Sequence, residues 1–147
     1  MLFKVIAIAA AAVTIAVGIV IFLMSTNASP GVPNVRFTDF TADRIDIRVG
    51  QATNIVFNVQ NLEDRAITDG RVVITIEPSG YQPYLSIDRP SVDLPDMLSK
   101  DARTGQMHVT ITANGAPAKE ALYTVKGVLM VEGIQSDVRE FELRVRQ

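Results

Sequence analysis

The sequence contains no cysteine, no tryptophan and a single histidine, His108. The first absence excludes disulfides, zinc–thiolate sites, iron–sulfur clusters, thiol nucleophiles and blue copper. With one histidine, acid–base work would fall to carboxylates or tyrosines, and no motif groups them. His108 alternates with Met107 and Val109, which points its ring to the solvent side of a strand. No block of one charge sign occurs either: 14 basic and 16 acidic residues give a net charge of −2. That balance lacks the electrostatic footprint of a nucleic-acid partner. A domain of ordinary size can hold together on its core alone, so the missing cysteines do not contradict export.

Charge is missing altogether from one stretch. Val5 to Met24 is twenty residues without a charged side chain, and only Thr14 within it is polar. As an α-helix rising ~1.5 Å per residue it would span roughly 30 Å, the thickness of a bilayer's hydrocarbon core. Lys4 stands before it and the next charge is Arg36, so the positive-inside bias leaves the N-terminus in the cytoplasm and the rest outside. The expected organisation is a transmembrane anchor over 1–24, a linker over 25–34 and an extracytoplasmic domain over 35–147, in a single-pass cell-membrane protein. A cleaved signal peptide is the alternative, with Met1 to Lys4 as its n-region and Thr26-Asn27-Ala28 offering small residues for cleavage. A signal h-region usually runs ~7–15 residues, shorter than this one.

The anchor carries its own pattern. Ala7, Ala11, Thr14 and Gly18 fall at intervals of four, three and four, so they share one helix face. Small residues let two backbones approach closely in lipid, where packing drives association. Bulky Ile6, Val13, Val17 and Phe22 lie opposite. The small face is expected to meet another transmembrane helix, in a homo-oligomer or a larger membrane assembly, while lipid covers the rest. Pro30, Gly31 and Pro33 then break the helix and keep the linker short. Asn27-Ala28-Ser29 is a glycosylation sequon that lies very near the membrane.

From Val35 onward the pattern is β. Val35-Phe37 and Phe40 open an extended segment, and Ile45 to Val49 alternates before a turn at Gly50-Gln51. Inward rows follow at Ile55, Phe57 and Val59; at Val72, Ile74 and Ile76; and at Met107, Val109 and Ile111. Tyr123, Val125, Leu129 and Val131 form a longer row, with Gly127 expected at a bulge, and Phe141, Leu143 and Val145 follow a turn at Glu132-Gly133. Leu85-Ser86-Ile87 and Val92-Asp93-Leu94 are short and suit an edge where the chain changes sheets. Asn114 to Ala121 could hold one helical turn. Seven or eight strands at this spacing predict a mainly β fold, an immunoglobulin-like antiparallel β-sandwich preceded by one transmembrane α-helix.

The run Val49-Gly50-Gln51-Ala52-Thr53-Asn54-Ile55-Val56-Phe57-Asn58-Val59-Gln60-Asn61 resembles the "V-G-x-x-x-x-(I/V)-x-F-x-V-x-N" opening of CARDB and NEW3-type immunoglobulin-like domains. The resemblance continues through Leu94-Pro95, Thr104-Gly105 and Tyr123-Thr124-Val125, and covers about Ile45 to Val145. It implies an adhesion or spacer module of the kind common on prokaryotic, particularly archaeal, cell surfaces. The layout of one anchor and one sandwich is similar to the archaellum stator proteins, which hold the motor to the surface layer.

Two surface segments are candidates for binding. Asp88, Asp93, Asp96 and Asp101 make the most acidic loop, but they lack EF-hand spacing, and Arg89, Lys100 and Arg103 compete as partners, so a solvated loop is expected rather than a Ca²⁺ site. Tyr81-Gln82-Pro83-Tyr84 places two tyrosines beside a proline, large contact area with a polar tip, and Tyr81 and Tyr84 are the candidate partner-binding residues. The alternative is that one ring caps the open end of the sandwich. The expected function is therefore non-enzymatic, without cofactor or metal: a structural or interaction protein that binds an extracytoplasmic partner such as a surface-layer or filament protein. The competing class is a carbohydrate- or Ca-binding recognition module, which the absence of tryptophan disfavours.

The small-residue face has a direct test. Replacing Ala11 and Gly18 together by leucine preserves insertion but fills the groove, and should cost about 1–2 kcal/mol of helix association. Crosslinking of the full-length chain in native membranes should fall accordingly. Unchanged crosslinking would reduce the groove to composition.

Overall fold

The computed structural model describes residues 31–147. The expected anchor, its face of Ala7, Ala11, Thr14 and Gly18, and the sequon lie outside the described residues. No helix long and apolar enough to cross a membrane occurs among the described residues.

Alternation becomes strands wherever one side of the chain can be buried. Nine strands form: β1 (Val35–Ala42), β2 (Asp46–Arg48), β3 (Ala52–Asn61), β4 (Gly70–Glu77), β5 (Leu85–Ile87), β6 (Ser91–Asp93), β7 (Met107–Ala113), β8 (Glu120–Val131) and β9 (Ile134–Arg146). One sheet has the order β1-β3-β7-β5 and the other β2-β9-β8-β4-β6. Their inner faces make one core. Every expected inward residue is buried except Met107 and Phe141, and those two pack against the core from its margin. Full burial of each such side chain contributes about 1.5–3 kcal/mol.

The structure differs from the sequence reading at four points. Nine strands form where seven or eight were expected, and the three-residue β2 runs parallel to β9 rather than antiparallel. Only Ile47 of the Ile45–Val49 alternation is buried, because β2 lies on the rim of its sheet and pairs through three residues; Ile45 stays 57% exposed. No helical turn forms over Asn114–Ala121. Glu120 and Ala121 instead extend β8 by pairing with Arg146 and Val145, so a cross-strand ladder outweighs the helix preference of alanine. Gly127 is not at a bulge: it pairs in register with Ile74 and Arg139, and the ladder slips later, between Leu129 and Met130.

The reason for Gly127 lies across the core. A β-carbon there would stand 2.7 Å from Cζ of Phe40, well inside contact distance. Phe40 reaches that place through a register shift between Phe37 and Asp39, which returns it to the inner face despite its three-residue spacing from Phe37. Its ring then packs on Phe37, Phe57 and Phe141, with centroids 5.3, 6.3 and 5.8 Å away.

Hydrogen bonds close the sandwich between β1 and β9, which belong to different sheets. The Phe37 N–H donates to Asp137 Oδ2 (3.0 Å) and Arg139 Nη2 donates to the Phe37 carbonyl (3.1 Å). Buried Ser136 donates to the Val35 carbonyl (2.6 Å), and Arg36 reaches the Ser136 carbonyl. On the opposite side, the edges are the three-residue strands β5 and β6, too short to template another chain.

The sandwich has two distinct ends. The chain enters β1 at the end where Val35 pairs with Asn61. There the fully buried Asn61 side chain gathers two loops: its amide donates to the carbonyls of Arg65 (2.9 Å) and Met97 (3.2 Å), and its oxygen accepts from the Glu63 N–H (2.8 Å). Beside it, Glu132 and Gly133 take φ values of 54° and 78°, the two-residue hairpin turn whose twist suits β8 and β9. The other end, roughly 30 Å away along the ten residues of β3, carries the loops after β4 and β7.

Gly127→Ala should lower stability by about 1–3 kcal/mol, because the new methyl displaces the Phe40 ring. Adding Phe40→Leu to the same chain should recover part of that loss. Urea denaturation of the single and double variants checks both. Equal midpoints for the parent and Gly127→Ala would show that the ring yields without cost.

Candidate functional site: a tyrosine-lined cleft

The segment after β4 turns at Pro78-Ser79-Gly80, where Gly80 takes a φ of 89° that favours glycine. Tyr81 to Tyr84 follow as a tight turn: the N–H groups of Tyr84 and Leu85 both donate to the Tyr81 carbonyl, at 2.8 and 2.9 Å. The Tyr84 carbonyl in turn accepts from the N–H groups of Asn114 (2.7 Å) and Gly115 (3.2 Å). The two loops are thereby tied to each other through backbone bonds.

Between these loops and the first residues of β8 lies a cleft of about 280 Å³. Tyr81 and Tyr84 line it together with Tyr123, Pro78, Pro117 and Leu122. The sequence-based candidates are therefore brought together, both half-buried, and a third tyrosine joins them. Tyr123 occupies an inward position of β8 and is 4% exposed. Its hydroxyl finds no hydrogen-bond partner among the described residues. Burial pushes the phenol above its ordinary value, and the neighbouring Tyr84 adds to the shift. The group therefore stays protonated, a donor. Glu120 is the one charged residue lining the cleft, and it faces Arg144 Nε at 3.2 Å.

Alternation identifies Tyr123 as core and stops there. What made it part of a site is its place at the end of an inward row, beside the loops that carry Tyr81 and Tyr84. A second concavity, of about 480 Å³, was equally invisible in the sequence. It lies on the outer face of the five-stranded sheet, lined by Val73, Val128 and Met130 beside Asp69 and Arg71. Strand register sets Val73, Val128 and Val138 side by side there.

The other candidates do not converge. Asp88 accepts from the Thr110 N–H (2.8 Å), Asp93 sits in β6 opposite Arg71, and the Asp101 N–H donates to the Asn61 carbonyl (2.6 Å). No three histidine, aspartate or glutamate side chains meet among the described residues. His108 is exposed.

The two-sheet architecture recurs in known structures. A segment of the alpha-2-macroglobulin of E. coli superposes with a TM-score of 0.54 at 13% identity, over 77% of this chain and 7% of that one. The sporulation control protein Spo0M of Bacillus subtilis gives 0.50 at 11% identity, over 79% of this chain and 51% of that one. What is shared is the fold. This chain thus spans a small part of the first protein and about half of the second. The CARDB domain of a Pyrococcus furiosus protein, in a structure described as a complex with di-metal ions, gives a lower TM-score of 0.48 at 11% identity, over 80% of this chain and 97% of that one. No family model matches the sequence. No curated protein matches it either.

A buried hydroxyl without a partner costs about 1–3 kcal/mol, so Tyr123→Phe should stabilise the fold by about 1 kcal/mol. The raised phenol gives a second signature. Below the unfolded tyrosine value of about 10 both states hold the proton and pH has no effect; above it the unfolded phenol ionises while the buried one cannot, so stability falls as pH climbs toward the folded value. The advantage of Tyr123→Phe over the parent should therefore widen above that pH. Urea midpoints at neutral and alkaline pH measure both, and a destabilised variant would mean that the hydroxyl is already satisfied.

Proposed function

We propose that this chain is a non-enzymatic interaction module, an immunoglobulin-like sandwich of CARDB/NEW3 type held to the cell membrane by Val5–Met24 and displayed outside the cytoplasm. The observation that carries the reading is the cleft of Tyr81, Tyr84 and Tyr123 at the end opposite the point where the chain enters the sandwich. A tether arriving at Pro33 leaves that end free of its own attachment, and the tied loops present large rings at little further entropic cost. Such a module holds a second protein outside the cytoplasm. The partner is an extracytoplasmic protein such as a surface-layer or filament protein, and the assembly an archaeal cell-surface or motility complex. The small-residue face of Ala7, Ala11, Thr14 and Gly18 joins the anchor to neighbouring transmembrane helices of the same assembly.

Two measurements test this. A tag placed after Gln147 should be cut by protease added to spheroplasts stripped of any surface layer; full protection would sink the topology. Full-length chain crosslinked in native membranes and identified by mass spectrometry should recover a defined extracytoplasmic protein. The double variant Tyr81→Ala, Tyr84→Ala should lose it. Undiminished recovery would remove the tyrosine end from the interface.

A further inference from the structure

We propose that β2 is a self-association edge, on which the β2 strand of a second copy pairs antiparallel with Ile47 opposite Ile47. None of the β2 residues lines the tyrosine cleft, so this surface is separate from it.

β2 is the outermost strand of the five-stranded sheet, and one of its sides meets no other strand. The Ile45 carbonyl and the Val49 N–H bond to Arg144 and Arg146, so five residues are held extended rather than three. Backbone groups of successive residues point to opposite sides, which turns the N–H and C=O of Asp46 and Arg48 away from β9. Exposed Gln51 occupies one of these groups: its Oε1 accepts from the Arg48 N–H (2.9 Å), a bond that a second strand can replace. The run ends at Arg44, whose N–H and C=O are both bonded to Thr53 Oγ1, at 3.1 and 2.7 Å.

The side chains select the partner. Ile45-Asp46-Ile47-Arg48-Val49 alternates apolar and charged residues symmetrically about Ile47, with charges of opposite sign. Antiparallel pairing centred there sets Asp46 against the partner's Arg48 and Arg48 against the partner's Asp46. A slip of two residues either way would set Asp46 against Asp46 or Arg48 against Arg48, so the charges fix the register. Asp46 accepts from Arg146 through Oδ2 (2.8 Å), which leaves Oδ1 for the partner. Arg48 reaches the Gln147 carbonyl (3.4 Å) and pairs with no aspartate or glutamate among the described residues. The same register sets Ile45 against the partner's Val49. These are two of the five large hydrophobic side chains exposed among the described residues, at 57% and 38%. A strand that satisfies both its charges and its apolar flanks by meeting itself points to a second copy, joined about a two-fold axis perpendicular to the sheet. Aligned with the membrane normal, that axis lets two anchored copies share one bilayer.

The sequence has no cysteine, so introduced cysteines report the register cleanly. Directly opposed residues outside the hydrogen-bonded pairs have Cα atoms about 4.5 Å apart, a spacing that a disulfide spans. The full chain carrying Ile45→Cys and Val49→Cys together, in detergent micelles, should form a disulfide-linked dimer on mild oxidation. Either substitution alone should not, because equivalent positions then stand roughly 13 Å apart along the strands. Adding Arg48→Glu to the double variant sets like charges face to face and should lower the dimer yield about tenfold. Mixing that chain with the double variant carrying Asp46→Arg should restore the yield, since every facing pair is again of opposite sign. No dimer from the double variant would overturn the pairing. Equal yields from the single variants would overturn it too, since they mark contact through the anchor or another surface. A yield untouched by Arg48→Glu would overturn the charge-set register.

Discussion

The sandwich is arranged around the place where the Phe40 ring lies against the bare backbone of Gly127. Two sheets pack about 10 Å apart when side chains fill the gap from both sides. Here one side supplies a phenyl ring and the other supplies nothing, so β8 carries glycine in the middle of an otherwise apolar row. Several other features follow from that contact. β1 slips register after Phe37 so that Phe40 faces inward. The ring brings Phe37, Phe57 and Phe141 into one aromatic group, so β1, β3 and β9 meet across the two sheets. With β1 drawn against β9, the polar groups of Ser136, Asp137 and Arg139 come within reach of its backbone and close that side.

Much of this was legible in the sequence, because period-two alternation on half-buried strands leaves little freedom. The inward rows of β3, β4 and β8 are buried as their spacing requires, that of β7 is buried at Val109 and Ile111, and the Glu132-Gly133 turn forms where its residues favour it. What alternation could not reveal was anything decided by a residue's opposite number. Gly127 reads as a bulge until the ring across the core is known, and Ala118 to Ala121 read as helix until β9 is alongside. The parallel pairing of β2 is hidden in the same way, since three residues carry no record of the strand they will join. At the cleft, Tyr81 and Tyr84 announce themselves as tyrosines in a proline-containing loop. Tyr123 does not, because an aromatic residue in an inward row looks like core until its hydroxyl is found without an acceptor.

The two ends of the molecule show different uses of polar groups. At the end where the chain enters, Asn61 satisfies its amide completely by bonding to the loops around it. A fully paired buried amide fixes one arrangement of those loops and leaves nothing to offer a ligand. At the far end, Tyr123 keeps an unpaired donor at a cost to the fold. The paired buried amide thus lies where the chain enters the sandwich, and the unpaired buried donor at the opposite end.

The parallel pairing of β2 with β9 has a mechanical meaning. Both strands run from the end marked by Val35 toward the end marked by Arg146, and the Val49 N–H and Ile45 carbonyl bond across to Arg146 (2.9 Å) and Arg144 (2.8 Å). A pull that separates Val35 from Arg146 acts along these strands. It would slide β2 past β9 and drag the polar contacts between β1 and β9 in the same direction. Bonds strained in shear must give way together, whereas bonds peeled from one end give way singly. Tension applied along the long axis therefore meets this sandwich in its stiff direction.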